Sequence, residues 1–136
     1  MTITFKNVSL IFAAGCVGGL AKALVAWLFG ASGINAILGS QFAPQLGPQW
    51  VYSHMVWGGI WAMLFLLPVR GWSLSSLGIL YSLPQSIISL LVMFPKMGRG
   101  LLGLQLGYST PVLVIFFGFV WGLLTAFWWK TARESA

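Results

Sequence analysis

One continuous apolar run, from Val8 to Phe29, limits the possible folds of this chain more than any other feature. A helix of that length extends about 33 Å at about 1.5 Å per residue, enough to cross a hydrocarbon core of roughly 30 Å. Its only charged residue is Lys22. The run therefore predicts a transmembrane helix that carries one lysine.

Three further apolar runs follow, and the composition agrees with membrane insertion. Of the 136 residues, 59% are hydrophobic and 6% are charged, whereas about a quarter of the residues of a soluble domain are charged. We predict a single all-α integral membrane domain, a four-transmembrane-helix bundle with antiparallel neighbours. The predicted helices cover residues 8–29, 50–67, 73–94 and 111–129.

The connections between the runs differ in character. Only a few residues separate the second run from the third, so these two helices are expected to pack as an antiparallel hairpin. Residues 30–49 carry no charge, and the stretch from Ile34 to Phe42 is apolar enough for a short interfacial helix. Residues 95–110 are too apolar for a purely aqueous loop, and a re-entrant segment there stays open.

The basic residues predict the orientation. With four spans, both termini lie on one membrane side together with four basic residues: Lys6, Arg70, Lys130 and Arg133. Lys96 and Arg99 lie opposite. Because cytoplasmic connections carry the excess of lysine and arginine, both termini are expected in the cytoplasm. The net charge of +6 is dispersed along the chain, so anionic lipid, and not nucleic acid, is the expected charged partner.

Small or polar residues recur at every fourth position in each predicted helix. The rows are Gly15, Gly19 and Ala23; His54, Gly58 and Ala62; Gly78, Ser82 and Ser86; and Gly118, Gly122 and Ala126. Residues this small let helix backbones approach closely where lipid removes the hydrophobic driving force. The rows predict tight packing within the bundle, and a second protein is the alternative partner for some of them.

Lys22 is the most informative single residue, because Glu134 near the C-terminus is the only carboxylate side chain. Two interpretations stay open. The amine extends to the membrane interface, or it faces the bundle interior. An inward-facing amine is neutral or requires an anion from outside the chain, such as a lipid phosphate, a substrate or a partner carboxylate.

His54 and a polar face on the third helix are the candidate neighbours of Lys22. His54 lies about one turn inside the second helix, at a depth similar to that of Lys22, and Tyr81 and Gln85 adjoin the serine row. We expect a packed, hydrogen-bonded histidine, with haem or pigment ligation by His54 as the open alternative. No metal site is predicted, because too few ligand residues are present.

Pro84 interrupts the third run near its middle. A proline within a helix lacks an N–H, and its ring clashes with a carbonyl of the preceding turn. We expect a kink there, with the released Leu80 carbonyl satisfied by nearby serines or water.

Lys96 and Arg99 break the positive-inside pattern, in a glycine-containing stretch after the third run. They suit a solvated connection. Alternatively, the flanking glycines let the two cations approach lipid headgroups or an acidic partner surface.

Scattered motifs resemble the YagU-like family of bacterial inner-membrane proteins. The similar positions are Gly15, Gly19, Ala23, Val25 and Trp27 in the first run, Phe94-Pro95-x-Met97-Gly98 after the third, and Gly118-x-Val120-Trp121 in the fourth. The resemblance implies a multi-spanning protein of the bacterial inner membrane. It transfers no catalytic residue.

No constellation of residues predicts an enzyme, since the chain has no carboxylate pair, no Ser/His/Asp set and no phosphate-binding fingerprint. The expected function is that of an accessory, assembly or interaction subunit, in a homo-oligomer or a larger membrane complex. The alternative is a small transporter or channel with an outward-facing polar cavity around Lys22 and His54, to which Tyr81 and Gln85 contribute.

Overall fold

The computed structural model describes residues 4–40, 47–67, 71–96, 98, 104 and 107–135, apart from the side chains of Met93, Arg133 and Ser135. The helices are α1 (Phe5–Ala31), α2 (Ile34–Ile37), α3 (Pro48–Trp61), α4 (Leu74–Ile88), α5 (Phe94–Lys96) and α6 (Thr110–Ser135). A 3-10 segment, Ala62–Leu66, continues α3, and a π-helical segment, Ser89–Met93, joins α4 to α5. The described residues contain no strand.

The described residues are helical without strands, which confirms the all-helical class. Among them, three helices are long and apolar enough to cross a membrane, which agrees with membrane insertion. They are Phe5–Ala31, Leu74–Lys96 and Thr110–Ala132. The helices also expose large apolar side chains that would be unfavourable in water. These include Leu28, Trp57, Ile87, Val92, Val112 and Phe127.

Local sequence explains where the helices begin. The Thr4 side chain accepts a hydrogen bond from the Asn7 backbone N–H, and the Ser73 side chain accepts one from the Ser76 N–H. Each bond satisfies a donor that the first helical turn leaves free. Pro48 occupies the first turn of α3, where its missing N–H removes no helical hydrogen bond.

The main helices pack in the order α3, α1, α6, α4. Gly15 contacts Gly58, whereas the later residue Gly19 contacts the earlier residue His54, so α1 and α3 are antiparallel. The same reversal holds between α1 and α6, where Gly18 lies against Thr125 and the later Ala26 clusters with Leu113 and Phe117. Helices α4 and α6 cross where Gly78 meets Gly122, and Ser82 and Ser86 lie near the earlier Gly118.

The second and third predicted helices were expected to pack side by side as a hairpin, and the structure corrects this expectation. Along their lengths α3 packs on α1 and α4 packs on α6; α4 meets the second helix mainly at the 3-10 segment. The edge of Phe65 in that segment contacts the Tyr81 ring, with ring centroids 5.1 Å apart. A short connection places two helices near each other at one end, but side-chain size decides which faces pack.

All the small residues that form the four rows are buried between helices of this chain. Ala62 packs against Gly15, and Ala23 and Ala126 are fully or almost fully buried. Large side chains fill the space beside these close approaches. Trp121 and Trp129 are the largest of the fully buried ones.

Pro84 lies inside α4, which continues to Ile88 before the π-helical segment. Serine hydroxyls beside the proline bond to backbone carbonyls: Ser82 donates to the Ile79 carbonyl (2.7 Å) and Ser89 to the Gln85 carbonyl (3.1 Å). Neither serine satisfies the Leu80 carbonyl.

Two connections meet at the end of the bundle where α6 begins. Ser40 and Thr110 are buried and joined by a hydroxyl–hydroxyl hydrogen bond of 2.7 Å. Gly107, with φ of 138°, packs against the Gly39 backbone, where a β-carbon would clash. This contact ties the segment after α2 to the first turn of α6.

Candidate functional site

The crossing of α1 and α3 forms the base of the candidate site. A β-carbon on Gly19 would overlap the backbone carbonyl of His54, and one on Gly58 would lie 2.5 Å from the Gly15 carbonyl oxygen. The two backbones therefore touch, and only glycine allows that distance. Side chains one turn further along α1 consequently project beside His54.

Lys22 is such a side chain, since it follows Gly18 and Gly19 by about one helical turn. Gly18 faces α6 and Gly19 faces α3, so Lys22 projects between α3 and α6. Helical side chains lean toward the helix N-terminus, which directs the Lys22 amine back toward the level of His54. Lys22 therefore lies beside His54 at the contact between α1 and α3.

The hydrogen-bond partner of the His54 imidazole shows which of its two ring nitrogens carries a hydrogen. Its Nδ1 lies 2.9 Å from the Trp50 carbonyl oxygen. A carbonyl accepts hydrogen bonds and cannot donate them, so Nδ1 carries the hydrogen. In the neutral ring, Nε2 then holds a lone pair and is an acceptor. The Trp50 and His54 rings are 4.5 Å apart at their centroids, which fixes the orientation of the imidazole.

Lys22 has neither an ion pair nor a hydrogen bond within the part of the chain that the structure describes. Its amine belongs to a half-buried residue, as does the His54 ring. Glu134, the one acidic side chain of the protein, is exposed near the C-terminal end of α6. The charge on Lys22 is therefore not compensated by any carboxylate side chain of this protein.

An aromatic cluster lies on one side of the Lys22–His54 pair. It contains Ala26, one turn beyond Lys22, and Trp50, one turn before His54, together with Phe29 and Phe117. The Phe29 and Phe117 rings meet edge to face, with centroids 5.5 Å apart. The pair thus adjoins an apolar wall on the side where α1 ends and α3 begins.

A buried hydrogen bond lies on the other side of the pair. The Trp121 indole N–H donates to the Gly58 carbonyl over 3.2 Å, and Trp121 is completely buried. This bond joins α6 to α3 across the glycine face of α1. We predicted no role for Trp121 from the sequence, although a tryptophan amid a row of small residues is a signal for such a bridge.

No family model, no curated protein and no solved structure matches this chain. Its chemistry must therefore be deduced from the side chains themselves.

Tyr81 and Gln85 lie on α4, apart from the Lys22–His54 pair. Both are buried, and no hydrogen bond joins either of them to Lys22 or His54. Tyr81 packs on Phe65 in the core. The Tyr81 Oη and the Gln85 Oε1 are buried atoms without a hydrogen-bond partner among the described residues.

Two further buried side-chain oxygens of the packed helices also lack a hydrogen-bond partner among the described residues. The Ser86 hydroxyl lies against Gly118, and the Thr125 hydroxyl lies against Gly18. Neither oxygen has a partner among the described residues. These oxygens lie at two different helix contacts, that of α4 with α6 and that of α1 with α6.

Lys96 is exposed at the end of α5. Arg99 lies outside the described residues, so the two cations cannot be compared in space. The arrangement that brings ionisable groups together is the Lys22–His54 pair. One group donates hydrogen bonds with a positive charge and the other offers a lone pair, which suits an anionic ligand.

Proposed function

We propose that this protein is a four-span integral membrane protein of the bacterial inner membrane with both termini in the cytoplasm. For the fourth span, α3 and the 3-10 segment together cover Pro48–Leu66. Their 14 α-helical and 5 3-10 residues extend about 31 Å, which is comparable to a hydrocarbon core. The bacterial inner membrane is proposed from the scattered YagU-like motifs of the sequence alone.

The orientation has support from charge. Because α1 and α6 are antiparallel, the start of α1 and the end of α6 lie at one end of the bundle. Lys6 and Lys130 are exposed at that end. Lysines collect on the cytoplasmic side of membrane proteins, so the aromatic side of the Lys22–His54 pair faces outward.

We further propose that the protein is a small transporter or channel that binds an anion at Lys22 and His54. The observation that carries this proposal is the position of Lys22, a half-buried basic residue between α3 and α6 with no carboxylate partner among the described residues. A charged group at membrane depth is costly, and such groups mark ligand and ion pathways. An anion from outside the protein would reduce that cost.

The test is anion-dependent stability of the purified protein in detergent, followed by flux into proteoliposomes. Chloride, phosphate, acetate and benzoate form the panel. An anion at about 100 times its Kd should raise the free energy of unfolding by about 2.7 kcal/mol. Lys22→Met should abolish that gain, and Lys22→Arg should keep part of it.

Lys130→Met is the matched control, because Lys130 is an exposed cation at a helix end. It should respond to anions as the wild type does. If no anion stabilises the wild type, or if Lys22→Met responds equally well, the proposal is wrong. Vesicle flux that depends on Lys22 would establish transport in addition to binding.

The second candidate function is that of an accessory or assembly subunit, in a homo-oligomer or a larger complex. The small-residue rows lend it little support, since they are buried within this chain. A shallow groove of about 460 Å³ on the outer face of α3 favours it. Gln49, Tyr52, Ser53, Val56 and Trp57 line this groove.

Purification in mild detergent separates the two functions. A subunit would retain one stoichiometric partner or a fixed oligomer, and Trp57→Ala in the groove should release it. Trp128→Ala, at an exposed tryptophan of α6, should not. A monodisperse single chain that binds an anion through Lys22 would exclude the subunit function.

A further inference from the structure

The hydrogen-bonding pattern of the Lys22–His54 pair narrows the class of ligand, and this inference rests on the proposed anion-binding function. The His54 Nδ1 hydrogen is directed to the Trp50 carbonyl. The Nε2 atom has no hydrogen-bond partner among the described residues. A ligand must therefore accept a hydrogen bond from the Lys22 ammonium and bring a hydrogen that His54 Nε2 can share.

The empty pair holds one positive charge. A second positive charge, on His54, would be unfavourable because the imidazole is half-buried and because it would lie beside the Lys22 ammonium in a medium of low dielectric constant. Among the described residues of the helices packed around the pair, no carboxylate offsets this repulsion. The part of α6 packed against α1, from Thr110 to Trp129, contains none, and Tyr81 on α4 is uncharged at neutral pH.

A bound carboxylate changes the balance between these charges. One of its oxygens accepts hydrogen bonds from the Lys22 ammonium, and the second lies available to His54. With the negative charge in place, a proton on Nε2 is attracted to the ligand instead of only repelled by Lys22. The carboxylate and one proton then bind together, and the total charge of the site stays at +1.

We propose that the ligand is a free monocarboxylate with an apolar tail, taken up together with one proton that is shared with His54 Nε2. The only bond change is a proton transfer, in which a buffer acid loses the proton and His54 Nε2 gains it. The apolar tail is inferred from the partly exposed rings of Phe29 and Trp50, which lie at the edge of the aromatic cluster beside Lys22 and His54. Burial of a tail there adds affinity in proportion to its apolar area.

Isothermal titration calorimetry of the wild-type protein tests this proposal. Benzoate and butyrate are titrated at about pH 7.5 in two buffers with different ionisation enthalpies, which reveals the number of protons bound. We expect uptake of about one proton per carboxylate when His54 is neutral before binding. Acetate should bind more weakly than butyrate because it lacks the tail.

Two variants identify the groups. Lys22→Met should lower affinity roughly tenfold or more, because the charge-assisted hydrogen bonds are lost. His54→Gln keeps a side-chain amide that can still bond to the Trp50 carbonyl, but it cannot accept a proton. Its binding should be weaker and should proceed without proton uptake. Thermal unfolding shows whether each variant is folded.

The outcomes separate the monocarboxylate–proton proposal from the broader proposal of anion binding on which it rests. If no anion binds, both are wrong. If anions bind through Lys22 without proton uptake, or chloride and phosphate bind as well as benzoate, anion binding stands and the monocarboxylate–proton proposal falls. If palmitate or an anionic lipid competes and small carboxylates do not bind, the ligand is a membrane lipid and the free monocarboxylate is excluded.

Discussion

The indole N–H of Trp121 donates a hydrogen bond of 3.2 Å to the backbone carbonyl of Gly58. This bond joins two helices, α6 and α3, that both pack on α1. It passes beside the glycines that bring α1 and α3 into contact, because a β-carbon on Gly58 would lie 3.1 Å from the Trp121 nitrogen. The bond thus depends on two residues that have no charge and no catalytic chemistry.

Replacement of Trp121 should destabilise the bundle more than its loss of volume suggests. Trp121→Phe removes the donor and leaves the Gly58 carbonyl with only its helical hydrogen bond from the Ala62 N–H, at a cost of about 0.5–1.5 kcal/mol. The measurement is the unfolding midpoint in mixed detergent micelles. Trp128→Phe is the control, because Trp128 is 45% exposed. Equal effects of the two substitutions would show that the bond contributes nothing.

A side chain at Gly19 should separate α1 from α3. Any β-carbon there overlaps the His54 carbonyl, and the obstacle is backbone, which cannot rotate away. Gly19→Val should therefore lower the free energy of unfolding by about 2 kcal/mol or more. Ala13→Val, at an exposed position of the same helix, is the matched control. A stable Gly19→Val variant would contradict this helix crossing.

The helix positions were predictable from the chain to a large degree, because long apolar runs with polar ends have one low-energy structure in lipid. The first predicted helix, 8–29, lies within Phe5–Ala31, and the fourth, 111–129, within Thr110–Ser135. The conversion of α3 to a 3-10 segment and of α4 to a π-helical segment was not predictable. Tertiary contacts, which a periodic pattern does not contain, decide such changes.

The helix partners were harder to predict than the helices. A row such as Gly78, Ser82 and Ser86 indicates a close approach, but it does not identify the helix that approaches; the hairpin expectation was wrong for that reason. Lys22 and His54 were expected at a similar depth in the membrane, because the depth of a residue follows from its distance along its helix. That Tyr81 packs on Phe65 depends on the partner of α4, which the sequence pattern does not specify.

The stability of the ligand-free protein should increase when the charge at Lys22 is removed. A half-buried ammonium without an anion is costly, and Lys22→Met keeps a similar apolar length, so we expect a gain of about 1 kcal/mol or more. Chemical unfolding in chloride-free buffer measures it. Lys130→Met should change stability by less than about 0.5 kcal/mol. If both substitutions are neutral, the Lys22 amine reaches the interface and its charge costs nothing.

The predicted orientation can be measured with single cysteines in a Cys16→Ala background. Lys6→Cys and Glu134→Cys lie near the two termini, and Lys96→Cys lies at the end of α5. A membrane-impermeant maleimide should label Lys96→Cys in spheroplasts and the two terminal cysteines only after lysis. Labelling of a terminal cysteine in intact spheroplasts would show that the orientation is reversed or that the chain has one span fewer.

The most direct test of anion binding at Lys22 is a solid-state NMR distance in reconstituted protein. The sample contains lysine labelled with ¹⁵N at Nζ and benzoate labelled with ¹³C at the carboxyl carbon. A dipolar coupling that corresponds to about 4 Å or less is expected for an ammonium bonded to a carboxylate. It should persist in Lys130→Met and vanish in Lys22→Met. A coupling that is absent from the wild type at saturating benzoate, or unchanged in Lys22→Met, would contradict a carboxylate site at this lysine.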